Sequence, residues 1–241
     1  MRDLFQNRVD AGRQLALALE RYAARDDVVV LALPRGGVPV GYEVAKALRC
    51  PLDVLIVRKL GAPQNPELAM GAIASGDALY VNNAVMRALY VSEAQFADTF
   101  ERERIELHRR ESAYRGQRPP AAVQGKTVIV VDDGMATGAT MHAALKALRG
   151  RRPRALVVAV PVCPAGAEER FAGVADDFVC VLQPYGFMGI GQFYADFAQT
   201  SDEEVRACLD AAQGGQPDPA HGAADGAAGG AHSVPPGGGP A

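Results

Sequence analysis

Two adjacent carboxylates follow the apolar run Thr127-Val128-Ile129-Val130-Val131. They are Asp132 and Asp133, and after them comes Gly134-Met135-Ala136-Thr137-Gly138-Ala139-Thr140. The run reads as a buried parallel strand, and the residues behind the acids as a loop that opens a helix. Such a loop lies at the carboxyl edge of a sheet, where open α/β folds take their ligands. Gly134 and Gly138 have no side chain, so backbone N–H groups can come close to an anion, and a helix starting near Gly138 adds its positive end. Thr137 and Thr140 can donate hydroxyl hydrogen bonds. The stretch therefore has the makings of a phosphate cradle, although it has neither the Gly-Lys-Ser/Thr of a nucleotide-triphosphate loop nor a GxGxxG fingerprint. Carboxylates beside it would repel a bare polyphosphate. They suit sugar hydroxyls, met directly or near a bound cation, with a phosphate at the far end of the same sugar. A ribose 5-phosphate meets both demands.

Three further stretches carry residue types that could serve the same site. Leu33-Pro34-Arg35-Gly36-Gly37 follows the apolar run Val28–Leu33 and leads into a helical pattern. Gly36 and Gly37 can adopt conformations closed to other residues, and Arg35 can make paired bonds to a phosphate; a plain strand-to-helix turn is the other reading. Arg58-Lys59-Leu60-Gly61-Ala62-Pro63 opens with two cations and is punctuated by Gly and Pro. It reads as a loop able to close over a site, with Arg58 and Lys59 neutralising a leaving pyrophosphate. Either cation alone reads equally well as solvated. Tyr185 and Phe187 lie among glycines after the last apolar run, where aromatic rings could stack on a planar base. Core or lid packing explains them at least as well.

The elements that must hold these loops follow a regular rhythm. Short apolar runs at Val28–Leu33, Leu52–Val57, Thr127–Val131, Ala155–Val160 and Phe178–Leu182 alternate with helical patterns at Val38–Leu48, Ala139–Leu148 and Ala165–Phe171. That alternation predicts an α/β fold with an open, mostly parallel five-stranded sheet covered by helices on both faces. An N-terminal helix is expected over about Val9 to Ala24. Residues 92–115 are densely charged with both signs at helical spacing, which predicts one long helix inserted into the rhythm, its charges read as a solvated face. One domain is expected over 1–210. From Ala211 to Ala241 the chain is Gly, Ala and Pro with few apolar residues, a composition expected to be disordered.

The bulk composition narrows the function. Twenty-five basic against 28 acidic residues give a net charge of -3, so no nucleic-acid or membrane-surface partner is expected. No apolar run approaches the roughly 20 residues of a spanning helix, and no secretory leader is evident. The four cysteines, Cys50, Cys163, Cys180 and Cys208, show no CxxC spacing. They read as thiols of a reducing cytoplasm rather than a disulfide or zinc framework.

Val128 through Thr140, with four apolar residues, two acids and a Gly/Ala/Thr loop, resembles the phosphoribosyl pyrophosphate signature of the type I phosphoribosyltransferases. Arg35-Gly36-Gly37 is similar to that family's pyrophosphate loop, and Arg58-Lys59 with its Gly and Pro to the flexible catalytic loop of adenine-type members. The three pieces stand in the family's order. Arg58-Lys59-Leu60-Gly61-Ala62-Pro63-Gln64-Asn65-Pro66-Glu67 and Asn7-Arg8-Val9-Asp10-Ala11-Gly12 also resemble a group of bacterial members of unassigned acceptor. The resemblance implies the type I fold with a small hood. It implies that Asp132 and Asp133 contact the ribose hydroxyls, and that Gly134, Met135, Ala136, Thr137, Gly138, Ala139 and Thr140 hold the 5-phosphate. Arg35, Gly36, Gly37 and Lys59 would hold the pyrophosphate, and Arg58, Lys59, Asp132 and Asp133 would form the catalytic set. The partners implied are phosphoribosyl pyrophosphate, a small heterocyclic base and Mg²⁺ held mainly by the substrate; a homodimer is one compatible assembly. Ala136 stands where several purine-using members carry an acid, which leaves the acceptor open. A binding or regulatory module that keeps the site without turnover is the alternative.

Overall fold

A computed structural model describes residues 4–214 of the chain. Five strands form the main sheet: β1 (Val28–Ala32), β2 (Leu52–Val54), β6 (Thr127–Val131), β7 (Ala155–Val162) and β8 (Asp177–Leu182). Their order is β2-β1-β6-β7-β8, and every pairing is parallel. This is the open α/β sheet expected from the apolar runs. Val29 faces Val128 and Ala32 faces Val131 across the β1–β6 pair, so the two loops that follow these strands start level with each other.

Side chains alternate across the sheet, as the period of two requires. Val28, Val30 and Ala32 join Ile129 and Val131 in one apolar layer, under α1 (Arg8–Ala18), α2 (Gly37–Leu48) and α6 (Asp202–Gly214). Val29 and Leu31 join Val128, Val130 and Val158 in the other, under α5 (Ala139–Arg149). Two buried layers on one sheet explain why its strands read as unbroken apolar runs.

The second expected strand stops early. At Leu55 the backbone N–H still reaches Ala32 O at 2.8 Å, but Ile56 already bonds to Ser75, through Ser75 Oγ at 2.9 Å and Ser75 N at 2.9 Å. There the chain passes into a separate antiparallel sheet of β3 (Val57–Ala62), β4 (Asn65–Ala74) and β5 (Ala78–Val81), in the order β3-β4-β5. The segment expected as a loop is therefore largely strand. Its second hairpin closes on Gly76 and Asp77, with φ of 71° and 57°. Two consecutive positive φ values are what a tight turn between twisted strands needs.

After the short α3 (Asn83–Ala88), α4 (Glu93–Arg115) runs the expected course of the charged insertion. Ser92 and Gln95 form a reciprocal capping box at its start. Its far end is anchored by a buried ion pair, Arg115 Nε to Asp53 Oδ1 at 2.8 Å, and by Arg115 Nη1 to Glu111 at 2.9 Å. The N-terminal helix is shorter than expected: α1 stops at Ala18 and a 3-10 turn covers Glu20–Tyr22. The pattern at Ala165–Phe171 likewise becomes a 3-10 turn, Ala167–Phe171. Helix α6 continues through residues 211–214, and the remainder of the expected disordered tail lies outside the described residues. Among the described residues no helix is long and apolar enough to cross a membrane.

Candidate functional site

The carboxyl ends of β1 and β6 bring two of the expected motifs into contact. A Cβ on Gly36 would stand 2.0 Å from Asp133 Oδ2, and one on Gly37 would stand 2.9 Å from Asp132 Cα and from Val131 O. Neither position has room for a side chain. The Arg35-Gly36-Gly37 loop therefore lies directly on the acidic pair, and glycine is needed for close approach. The peptide between Pro34 and Arg35 is cis.

Asp132 and Asp133 sit in unlike surroundings. Asp132 Oδ1 accepts from the Asp133 N–H at 2.9 Å. Burial and the neighbouring carboxylate hold the Asp132 carboxyl well above the usual range. Burial also raises Asp133, but Arg8 opposes it: Arg8 Nε donates to Asp133 Oδ2 at 2.8 Å. Arg8 in turn donates to Ala198 O at 2.6 Å and lies over the Phe197 ring, 4.1 Å from its centroid. Tyr194 donates its hydroxyl to Asp133 O at 2.5 Å. Two carboxyl groups side by side, one of them oriented from behind, are well placed to accept from paired sugar hydroxyls.

The loop after the acids presents backbone donors at the start of a helix. Met135 N is tied to Val162 O at 2.9 Å, and Gly138 takes φ 72° as the N-cap of α5. Its left-handed conformation and its closeness to Met135 Sδ and Phe171 both call for glycine. The backbone N–H groups of Ala136, Thr137 and Gly138 have no hydrogen-bond partner among the described residues. The carbonyls of Ala136 and Thr137 are held from behind by Arg170 Nη1, at 3.4 and 3.2 Å. Free N–H groups whose carbonyls are pinned, at the start of a helix, give the donor array that a phosphate needs. Thr137 and Thr140 are exposed there.

Lys59 and Arg58 lie on β3 rather than on a loop. Lys59 is exposed and lines a cleft shared with Thr137, Gly138 and Ala139. Arg58 is engaged, with Nη2 2.6 Å and Nε 2.9 Å from Glu103 Oε2 on α4. Arg35 Nη1 is 3.7 Å from Asp202 Oδ1, a loose contact that leaves the guanidinium half exposed.

Among the described residues the two aromatic candidates make no hydrogen bond or ring contact with these loops. Tyr185 is 95% exposed. Phe187 stacks on Phe193 at 5.6 Å and packs into a small apolar cluster with Phe5 and Ala11. Among the described residues no group of three or more His, Cys, Asp or Glu side chains could hold a metal. The donor set present is the acidic pair beside a phosphate loop, which suits a Mg²⁺ that takes most of its ligands from a substrate and one or two from protein carboxylates.

A family model described as "Phosphoribosyl transferase domain" matches residues 3–191. The chain belongs to that family. It is 47% identical over 209 residues to proteins named "Putative phosphoribosyl transferase Rv0571c" and "Putative phosphoribosyl transferase MT0597", both of Mycobacterium tuberculosis. Those matches cover 87% of this chain and 47% of each relative, so the chain spans about half the length of the curated proteins it matches. The crystal structure of TT1426 from Thermus thermophilus superposes with a TM-score of 0.77 at 43% identity, over 86% of this chain and 97% of that one. The five-stranded parallel sheet is accordingly the type I phosphoribosyltransferase fold.

Sequence reasoning passed over several residues that the fold brings here. Arg8 and Tyr194 hold Asp133, and Arg170 holds the loop after it. Only Arg8 had a local signal, since Asn7-Arg8-Val9-Asp10-Ala11-Gly12 already resembled related sequences.

Proposed function

We propose that this phosphoribosyltransferase domain moves the 5-phosphoribosyl group between phosphoribosyl pyrophosphate and a nitrogenous base, purine-like in preference, with Mg-pyrophosphate as leaving group. The observation that carries the reading is the direct contact of the Gly36–Gly37 loop with Asp132 and Asp133, beside a loop of free N–H groups. One end of that constellation suits a pyrophosphate, the middle a ribose diol, and the other end a 5-phosphate. Mg²⁺, when bound, would neutralise the pyrophosphate as charge builds on it. Asp132 and Asp133 accept from the ribose hydroxyls, residues 134–140 hold the 5-phosphate, and Arg35 and Lys59 face the pyrophosphate. The chain thereby supplies position and charge rather than a covalent intermediate. Tyr185 and Phe187 stay candidate base contacts, Tyr185 as an exposed ring and Phe187 from its stack on Phe193.

The pairing of Arg58 with Glu103 favours a second reading, a domain that binds the sugar phosphate without turnover. Calorimetry with phosphoribosyl pyrophosphate, with and without Mg²⁺, followed by a panel of purines, pyrimidines and related heterocycles, separates the two. Mg²⁺-dependent binding with pyrophosphate release for one acceptor supports transfer. Binding without release across the panel favours the binding module, and no binding refutes both.

A further inference from the structure

Two clefts adjoin at Val57 and Thr140, beside the phosphate loop. One, of about 570 Å³, presents Arg35, Arg109 and Arg110; the other, of about 670 Å³, presents Arg58, Lys59 and Arg102. Against these six cations the linings contain two carboxylates, Glu103 and Asp202. The continuous trough therefore has a strong positive excess, although the chain as a whole carries a net charge of -3. Half of its cations come from α4, whose charged face the sequence presents as merely solvated.

The geometry fixes α4 in relation to the Arg35 loop. Tyr114 donates to Asp202 Oδ1 at 2.7 Å, and the same carboxylate oxygen lies 3.7 Å from Arg35 Nη1. Arg109 and Arg110 share a single counter-ion: Glu106 accepts from Arg109 Nε and from Arg110 Nε, each at 2.7 Å. Two guanidiniums on one carboxylate leave an uncompensated charge and unused N–H donors in the cleft that Arg35 also lines. A compact ligand with several negative charges is what such a wall would take.

We propose that α4 forms one wall of the pyrophosphate site and that Arg109 and Arg110 bind the pyrophosphate opposite Arg35. This rests on the transferase reading above and adds a part of the site contributed by the inserted helix. The test is calorimetric titration of the full chain with inorganic pyrophosphate plus Mg²⁺ and, separately, with ribose 5-phosphate. In R109Q/R110Q, pyrophosphate should bind about ten-fold or more weakly with a shallower salt dependence. Ribose 5-phosphate should bind as in the wild type, which also certifies the fold; the side chains replaced are 67% and 46% exposed. K126Q/R154Q removes the same charge at the opposite edge of the sheet and should change neither affinity. Undiminished pyrophosphate binding in R109Q/R110Q overturns the inference, as does an equal loss in K126Q/R154Q or a loss of both ligands in R109Q/R110Q. A wild type that takes ribose 5-phosphate but no pyrophosphate overturns it while sparing the sugar-phosphate site. A wild type that takes neither refutes the transferase reading as well.

Discussion

Replacing Asp132 by Asn should stabilise the protein while abolishing the proposed binding of the ribose. Asp132 and Asp133 are neighbours in a partly buried loop; burial raises both carboxyls, and the charge of Asp133 raises Asp132 further. Two unit charges at about 4 Å and an effective dielectric of about 20 repel by roughly 4 kcal/mol, an upper bound for the charged pair. Arg8 offsets part of this through its 2.8 Å bond to Asp133. A net gain of about 1 kcal/mol is expected from D132N at neutral pH, in line with the gains often seen when strained functional groups are neutralised. In a domain of this size that corresponds to a rise in Tm of about 2–4 °C. Asn keeps the Oδ1 that accepts from Asp133 N, so the loop conformation should persist. The pH dependence gives the sharper check. A carboxyl raised in the folded state binds its proton more tightly there than in the unfolded chain, so wild-type stability is lost as pH rises through the folded value and regained in acid. The advantage of D132N should thus be largest near pH 7 to 8 and vanish toward the ordinary carboxylate range. Thermal melts from pH 4 to 8, with ribose 5-phosphate calorimetry alongside, measure both effects. A D132N protein less stable at pH 7, or a difference constant across that range, would refute the account of the acidic pair.

Other positions give separate checks. Gly36→Ala puts a Cβ 2.0 Å from Asp133 Oδ2, so urea unfolding should show a loss of about 1–3 kcal/mol together with weakened ligand binding. Arg8→Met leaves Asp133 buried without its cation; a cost of about 2–3 kcal/mol is expected near neutral pH and a smaller one in acid, where protonated Asp133 needs no partner. Since Arg8 is the strongest influence lowering Asp133, the acid limb of the proposed sugar-phosphate binding should also move to higher pH in R8M, measured by calorimetry across pH. Asp53→Ala strips the partner of buried Arg115 and the acceptor of Val54 N and Ala121 N; denaturant melts should show about 3–5 kcal/mol lost.

The main sheet was readable because its strands are buried on both faces and written as apolar runs. The phosphate loop was readable because its glycines and acids follow one another in the chain. The β3–β5 sheet was not, since the cations, glycines and prolines of residues 58–71 resemble loop composition and its faces are only partly buried. The Gly76–Asp77 pair between two short apolar stretches was a usable turn signal. Helix α6 went unread although its start carries a signal: Ser201 accepts from Glu204 N at 3.1 Å and the Glu204 side chain accepts from Ser201 N at 2.6 Å, a capping pattern written as Ser-Asp-Glu-Glu ahead of Val205. The service of Arg8 to Asp133 was beyond reading from spacing, because those residues lie 125 positions apart. The same holds for Arg109 and Arg110, whose local context is ordinary surface charge and whose use depends on where Asp53 pins the helix.

The bridge that joins Phe5 to Tyr194 has a bearing on how the protein is made. Phe5 N bonds to Phe193 O and Ala195 N to Phe5 O, so the first described residues and those near 195 close on each other around Asp133. A chain emerging from the ribosome can pair β1 with β6 once residue 131 is out, yet Arg8 finds its carbonyl partner only when Ala198 has followed. The sheet thus precedes the last contacts around the acidic pair in order of synthesis, so those carboxyls can stay hydrated, where their charges cost least, until the segment near 195 follows. Closing the longest-range contacts last delays the electrostatic penalty until the rest of the fold is present to bear it.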